Sequence, residues 1–205
     1  MNLKNKLGTP LSAERNEKVS CVLAKRQAKI TIVIENVGDP HNIAAVMRTC
    51  DAVGINEIYV LNTQSHKYKY FDEQTSASAN KWVKVNQFQD VDECFKHLRA
   101  RYKNIYSTHL SKNALNLYEL NLTESIAFVF GNERKGITPQ SLAYCDANFV
   151  IPQVGMISSL NISVACAITL YEAYRQKKIA GHYDTYQLND AQEMEVLESW
   201  GLMKV

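Results

Sequence analysis

Three segments of the 205-residue chain are dense in polar side chains that a plain hydrophobic core would not select. The first is NVGDPHNIAAVMRTCDAVG, residues 36–54, in which Arg48 follows Asn42 by six residues, just under two helical turns. A carboxamide near an open helix N-terminus and a guanidinium further along are groups that bind an anionic backbone. This segment therefore predicts contact with a phosphate-bearing ligand.

The other two segments each join a strand to a polar loop. FVFGNERKGI, residues 128–137, runs from a strand into a glycine-bounded loop that contains Glu133. IPQVGMISSLNISVACA, residues 151–167, places Ser159 in a loop and Asn161 at the start of a helix. Taken singly, each polar residue has an ordinary explanation as a salt-bridge partner, turn residue or helix cap. The occurrence of all three segments in one chain is what indicates a functional site.

Several familiar sites are excluded by spacing. The glycines of residues 131–136 have Walker A spacing, but Ile137-Thr138 replaces the required Lys-Ser/Thr. No Gly-x-Gly-x-x-Gly follows the first long strand, and Ser158-Ser159 lacks the flanking glycines of a nucleophile elbow. The five histidines show no metal-ligand spacing, so no metal site is expected.

Alternating strands and helices must position these segments. Hydrophobic periodicity and capping signals predict strands at 29–35, 57–61, 82–85, 104–108, 126–130 and 148–151. Helices are predicted from Ser12 to near Lys29, at 41–53, 88–102, 160–179 and 191–199, and a short one after Thr138-Pro139, with an irregular segment at 62–81. Because the strands are apolar on both faces, the fold class is α/β, with an open, mostly parallel sheet between helices.

Charge divides the chain into a central domain and two extensions. Residues 1–29 carry seven Lys/Arg against two Glu, and residues 182–205 carry one Lys against five Asp/Glu. We expect a basic N-terminal helical extension (1–29), one α/β domain (30–181) and an acidic C-terminal helical extension (182–205). The basic arm, including Lys25 and Arg26, is predicted to be either a phosphate-binding element or a solvated helix face, and charge alone does not identify a nucleic-acid partner.

Composition predicts a globular cytosolic protein. Apolar residues make up 46 % and charged residues 21 % of the chain, which permits a buried core. No apolar run approaches the roughly 18 residues of a membrane span, and no apolar segment follows Lys4 and Lys6 to form a secretory signal. The five cysteines are odd in number and scattered, as expected for reduced thiols in the cytoplasm.

The three polar segments, in this order, resemble motifs 1, 2 and 3 of the SpoU group within the SPOUT methyltransferase superfamily. They read N-x₅-R-T, G-N-E-x-x-G and I-P-x-x-G-x-x-x-S-L-N-x-S-V-A, and the resemblance extends over about residues 23–181. Within the group, residues 25–27, 39–42 and 108–111 are most similar to TrmH enzymes, which methylate the ribose of tRNA guanosine 18.

The resemblance implies a fold, a cofactor and an assembly. The fold would carry a deep trefoil knot in its C-terminal part, and the protein would work as a homodimer without a metal. S-adenosyl-L-methionine (AdoMet) would bind in the knot, with contacts from Thr108, Gly131, Ile151 and Leu160.

The same resemblance implies catalytic roles. Arg48 would activate the attacking 2′-hydroxyl, in its own subunit or across the dimer. Because a guanidinium resists deprotonation, we expect Arg48 to do so by holding the adjacent phosphate and ribose. Asn42 would orient Arg48 or the ribose. Ser159 and Asn161 would position substrate and cofactor. Glu133 would fix Arg48 or the motif 2 loop by an ion pair.

Three functions remain open on sequence alone. The first is 2′-O-methylation of the D-loop guanosine 18 of tRNA, favoured by the terminal extensions. The second is 2′-O-methylation of ribosomal RNA or of the tRNA anticodon loop. The third is a non-catalytic RNA-binding assembly module that has kept the fold. The acidic C-terminal extension departs from TrmH enzymes, which often present a longer, basic region to tRNA.

Overall fold

The fold is seen in a computed structural model that describes residues 2–64 and 79–204. Most of the predicted irregular segment, residues 65–78, lies outside the described residues. The described chain contains strands β1 (Leu3–Asn5), β2 (Ile30–Glu35), β3 (Glu57–Leu61), β4 (Lys84–Phe88), β5 (Asn104–Thr108), β6 (Leu115–Asn116), β7 (Ile126–Phe130), β8 (Ala147–Val150) and β9 (Leu202–Lys204). Its α-helices are α1 (Ala13–Leu23), α2 (Pro40–Ala52), α3 (Val91–Arg101), α4 (Pro139–Leu142), α5 (Ile162–Ile179) and α6 (Asp190–Ser199).

Seven strands form one sheet in the order β4-β3-β2-β7-β5-β8-β6, and every neighbouring pair is parallel. All residues of β2, β3 and β7 are buried, as expected for central strands covered on both faces. The predicted α/β class with a parallel sheet is confirmed.

Alternate residues along the central strands pack against helices on opposite faces. Ile32 and Ile34 of β2 belong to the core cluster that includes buried residues of α2 and α5. Val33 points into a second cluster, with Phe95 and Leu98 of α3. The sheet is therefore sandwiched, with α2 and α5 packed together on one face and α3 on the other.

The start and end of α2 follow from local residue chemistry. The Asp39 side chain accepts a hydrogen bond from the His41 backbone N–H, and Pro40 occupies the first helical position. Gly54 follows the helix with φ of +84°, and an added Cβ would lie 2.5 Å from the Lys25 carbonyl oxygen. Only glycine fits there without displacing the backbone.

Several predicted boundaries differ from the structure. Helix α1 ends at Leu23 rather than near Lys29, because the following N–H groups turn back onto the carbonyls of residues 20–23. The strand predicted at 82–85 lies at β4, and α3 begins after its cap, Asp90. Strands β1, β6 and β9 were not predicted, since two or three residues are too few to show a period.

The two ends of the described chain pack on one another. β1 and β9 pair in antiparallel fashion, with Leu3 opposite Lys204. The two terminal regions share one apolar cluster, which contains Leu3, Val19, Leu23, Leu188, Val196, Leu197, Trp200 and Leu202. Part of the negative charge of α6 is paired, since Glu195 lies 2.7 Å from the Lys84 ammonium.

No helix in the described ranges is long and apolar enough to cross a membrane. The five cysteines are free thiols, and burial raises the pKa of Cys145 to about 11.

Candidate active site

The predicted cofactor contacts meet at the carboxyl ends of neighbouring strands. Thr108 ends β5, Gly131 follows β7, Ile151 follows β8 and Leu160 lies just before α5. All four line one cleft of about 390 Å³, the Gly131 cleft, which Ser159 and Glu133 also line. Ligands of open α/β sheets bind at this edge, and the volume falls within the range of about 300–1,000 Å³ of small-molecule sites.

Gly131 brings two parts of the motif 2 loop into close contact. An added Cβ would lie 2.3 Å from the Gly136 carbonyl carbon and 2.5 Å from the Ile137 nitrogen. Because both neighbours are backbone atoms, a side chain at position 131 would force the loop open.

The same loop is folded by Asn132, which the sequence analysis did not single out. Its Oδ1 accepts the N–H groups of Arg134 and Lys135, at 2.9 and 3.1 Å. Its Nδ2 donates to the carbonyl of Asn36, a residue with φ of +54° at the end of β2. The sequence signal was present, since an asparagine in a glycine-bounded loop favours such a turn.

Glu35 anchors the far end of the loop and was also missed. Its buried carboxylate accepts hydrogen bonds from the Thr138 N–H at 3.0 Å, the Thr138 hydroxyl at 2.6 Å and the Ser141 hydroxyl at 2.8 Å. These three hydrogen bonds from the start of α4 offset the desolvation free energy of burying the carboxylate. In the sequence, Glu35 was read only as the last residue of a strand, because nothing there indicated its contacts with Thr138 and Ser141.

A chain of hydrogen bonds connects all three motifs through Asn42. The Asn42 Nδ2 donates to Glu133 Oε1 at 2.8 Å, and the Asn161 Nδ2 donates to Asn42 Oδ1 at 3.0 Å. Asn161 also caps α5, because its Oδ1 accepts the Ser163 N–H. Glu133 is thus held by an amide. No ion pair joins it to Arg48 among the described residues, in contrast to one of the arrangements predicted from sequence.

Arg48 stands apart from this chain. It is exposed on α2, roughly 9 Å along the helix axis and about 120° around it from Asn42. It does not line the Gly131 cleft, and within residues 2–64 and 79–204 its guanidinium has no hydrogen bond or ion pair. Its donors therefore remain available for an anionic ligand.

The basic residues expected to bind RNA just before β2 instead stabilise the fold. Arg26 is only 1 % exposed, lies 2.6 Å from Asp51 and donates to the Ile55 carbonyl. Burial lowers the pKa of the Arg26 guanidinium, and Asp51 opposes that shift. The Lys25 ammonium donates to the Tyr183 carbonyl. The predicted phosphate-binding role is therefore wrong for Arg26, whose guanidinium is buried.

No cluster of three His, Cys, Asp or Glu side chains suited to a metal ion occurs in the part of the chain that the structure describes.

Residues 29–171 match the family model described as the SpoU rRNA Methylase family. The tRNA (guanosine(18)-2′-O)-methyltransferase of Thermus thermophilus is 38 % identical over 186 residues, which is 91 % of this chain and 95 % of that relative. The Escherichia coli protein of the same name is 35 % identical over 193 residues, 93 % of this chain and 83 % of the relative. The chain belongs to the SpoU methylase family.

Solved structures agree with this assignment. The Aquifex aeolicus TrmH/SpoU tRNA modifying enzyme superimposes with a TM-score of 0.82 at 34 % identity, over 92 % of this chain and 95 % of that one. The SpoU methyltransferase AviRb of Streptomyces viridochromogenes, in complex with the cofactor AdoMet, shares the fold with a TM-score of 0.66 at 23 % identity, over 75 % of this chain and 59 % of that one.

The Asn42 bridge generates a first prediction. In Asn42→Asp the donor to Glu133 is lost and a second carboxylate faces it. We expect amide exchange in residues 132–137 to accelerate by about tenfold, since a hydrogen bond to a charged group contributes ~1.5 kcal/mol or more. Helix α2 should stay intact, because a carboxylate is tolerated in a first helical turn. Hydrogen-exchange mass spectrometry measures both, with exposed His41→Ala as the control; unchanged exchange in the loop would contradict the role of the bridge.

Proposed function

We propose that this protein transfers a methyl group from AdoMet to a ribose 2′-hydroxyl of RNA, at guanosine 18 in the D loop of tRNA. The observation that carries the proposal is the hydrogen-bonded chain Asn161–Asn42–Glu133 beside the Gly131 cleft. Membership of the SpoU family supports the reaction. Relatives named as tRNA guanosine-18 methyltransferases, aligned over more than nine-tenths of this chain, support the substrate.

The Gly131 cleft has the properties that AdoMet needs. Its lining includes Phe130 and Phe149 as apolar surface and the strand ends at Val150 and Ile151, where backbone groups are available to a ligand. The close approach at Gly131 keeps the loop compact against the cleft. When bound, AdoMet supplies a methyl group on a sulfonium centre, ready for in-line displacement.

The side chains of this protein would align the ribose and place a proton acceptor beside its 2′-hydroxyl. Arg48 would hold the neighbouring phosphate and the ribose, and that phosphate or a water would accept the hydroxyl proton. A guanidinium stays protonated at neutral pH and is a poor general base, so a positioning role fits its chemistry better. Asn42, fixed by Glu133 and Asn161, would orient the ribose, and exposed Ser159 would contact substrate at the mouth of the cleft.

The first test of this function concerns the cleft. In Gly131→Ala we expect AdoMet affinity, measured by calorimetry, to fall at least about tenfold. The reason is that the motif 2 loop must open to accommodate the Cβ of the alanine side chain. Gly38→Ala is the matched control, since its Cβ would meet no atom within 4 Å and it lies outside the cleft. Equal losses in both variants would argue against a cofactor site at Gly131.

The second test concerns the reacting group. Arg48→Ala should lower kcat for methyl transfer into tRNA by at least about a hundredfold, the scale of losing one positioned catalytic group. AdoMet affinity should be nearly unchanged, because Arg48 does not line the cleft. Arg48→Lys should also be poor, since lysine keeps the charge but loses the planar fork. Wild-type turnover in Arg48→Ala would refute the assignment.

Mapping the methylated nucleotide separates the candidate substrates. Radiolabelled methyl groups should enter unmodified tRNA at guanosine 18, and not ribosomal RNA or an anticodon-loop nucleotide. RNA binding without transfer into any RNA would favour the non-catalytic module.

A homodimer is part of the proposal. Val164 and Tyr171 of α5 lie on one helical face and are 45 % and 52 % exposed, an apolar surface suited to a second copy. Arg48 does not line the cleft of its own subunit, which favours action at the partner's cleft. Sedimentation at working concentration should give a dimer, and Val164→Glu should shift it towards monomer. A fully active wild-type monomer would contradict this.

We further infer that the C-terminal part is knotted. The order of strands supports this inference, because β8 lies between β5 and β6 although both precede it in the chain, and the β8–α5 segment could then thread the earlier β5–β6 connection. When the chain is pulled from its termini, a tightened knot should then leave it shorter than its full contour length.

The free cysteines favour a cytosolic location, which cell fractionation would test.

A further inference from the structure

A second cleft, with a volume of about 560 Å³, lies between α1 and the C-terminal region. It shares no lining residue with the Gly131 cleft, and nothing in the proposed methyl transfer uses it. Its lining includes Arg15 and Lys18 of α1, Arg26 from the segment between α1 and β2, Asp51 of the last turn of α2, and the two tryptophans, Trp82 and Trp200.

The mouth of this cleft is cationic. Arg15 and Lys18 are exposed on successive turns of α1, and their side chains have no hydrogen bond or ion pair with the residues that the structure describes. Glu14 is the one lining carboxylate besides Asp51, and Asp51 is paired with Arg26 at 2.6 Å. An anionic group would therefore be attracted to the α1 side of the opening.

The opposite wall is aromatic. Trp82 and Trp200 meet edge to face, with ring centroids 5.3 Å apart and planes at 81°. Trp200 is 4 % exposed, while Trp82 is half-buried and has the Lys81 ammonium 5.3 Å from its ring centre. The Trp82 indole is thus the aromatic surface that a ligand can reach.

The floor of the cleft holds an incompletely satisfied cation. The Arg26 guanidinium carbon lies 5.0 Å from the centre of the Trp200 ring. Its Nε is buried and lacks a hydrogen-bond partner among the described residues. A buried unpaired donor is costly, so a hydrogen-bond acceptor that reached the floor of the cleft would be stabilised there.

We propose that this cleft binds one unstacked nucleotide of the RNA substrate, its base against Trp82 and its phosphate at Arg15 and Lys18. Stacking on an aromatic side chain beside basic groups is how proteins hold single-stranded nucleotides. The inference rests on the proposed function for the identity of the ligand. It adds a second contact point for the RNA, remote from the reacting ribose.

The two sites lie near opposite ends of α2. Asn42 is in its first turn and Asp51 in its last, roughly 14 Å apart along the helix axis and about 180° apart around it. Exposed Arg48 lies between them on the same helix. An RNA that contacts both sites would therefore bend around α2, and the second cleft would fix the register in which that RNA presents its target ribose.

Tryptophan fluorescence tests this directly, because Trp82 and Trp200 are the two tryptophans of the sequence. An unmethylated tRNA transcript, added without AdoMet, should quench the emission of the wild type. In Trp82→Phe the quenching should be lost while RNA affinity remains within about twofold. In Trp82→Leu affinity should fall on the order of tenfold, the usual effect of losing one base stack. The Trp82 carbonyl, which accepts from Arg26 and Trp200, is retained in both variants.

Arg15→Ala and Lys18→Ala test the phosphate contact without touching the core. Each should weaken tRNA binding and lower the slope of log affinity against log salt concentration by about one. Lys96→Ala, at an exposed position of α3, should change neither the affinity nor the slope. Quenching that persists in Trp82→Phe, unchanged affinity in Trp82→Leu, or equal quenching of the wild type by poly-glutamate would overturn the nucleotide assignment. Methyl transfer by the wild type is scored separately, so its absence would count against the proposed function alone.

Discussion

The arrangement of the active site depends on one side chain, the carboxamide of Asn42. Its two ends face different partners, the Nδ2 donating to Glu133 and the Oδ1 accepting from Asn161. An amide is suited to this position because it is both donor and acceptor and carries no charge. The bridge joins the first turn of α2, the motif 2 loop and the cap of α5, three pieces that are distant in sequence.

Local capping chemistry decides where that bridge can form. Asp39 and Pro40 fix the first turn of α2, Asn161 fixes the first turn of α5, and Glu35 fixes the loop that starts at Gly131. Parallel strands then bring these helix starts to the same edge of the sheet. The geometry of the site therefore depends on how each helix begins, and a change at one of these caps would displace the bridging residues.

Much of this could be predicted from sequence, for identifiable reasons. β3, β5 and β7 were predicted with their observed bounds, because each run is rich in β-branched or aromatic residues, which favour strands. The polar residues of the motifs were found because their types do not suit a core. Asn132 was overlooked although its glycine-bounded loop signalled the turn that it forms. The role of Glu35 was not found, since it depends on partners from another segment. Arg26 was misassigned for the same reason, because a basic residue next to other basic residues gives no sign that it is buried against Asp51 and Trp200.

The pairing of β1 with β9 has a consequence for the order of assembly. The paired residues are separated by almost the whole length of the chain, and α1 leaves the ribosome long before the segment that covers it. Loop-closure entropy makes such contacts late events in folding. The central sheet can form before residues 200–204 are synthesised, but the wall that Trp200 contributes cannot. A nascent protein would thus complete its Gly131 cleft first and its second cleft later.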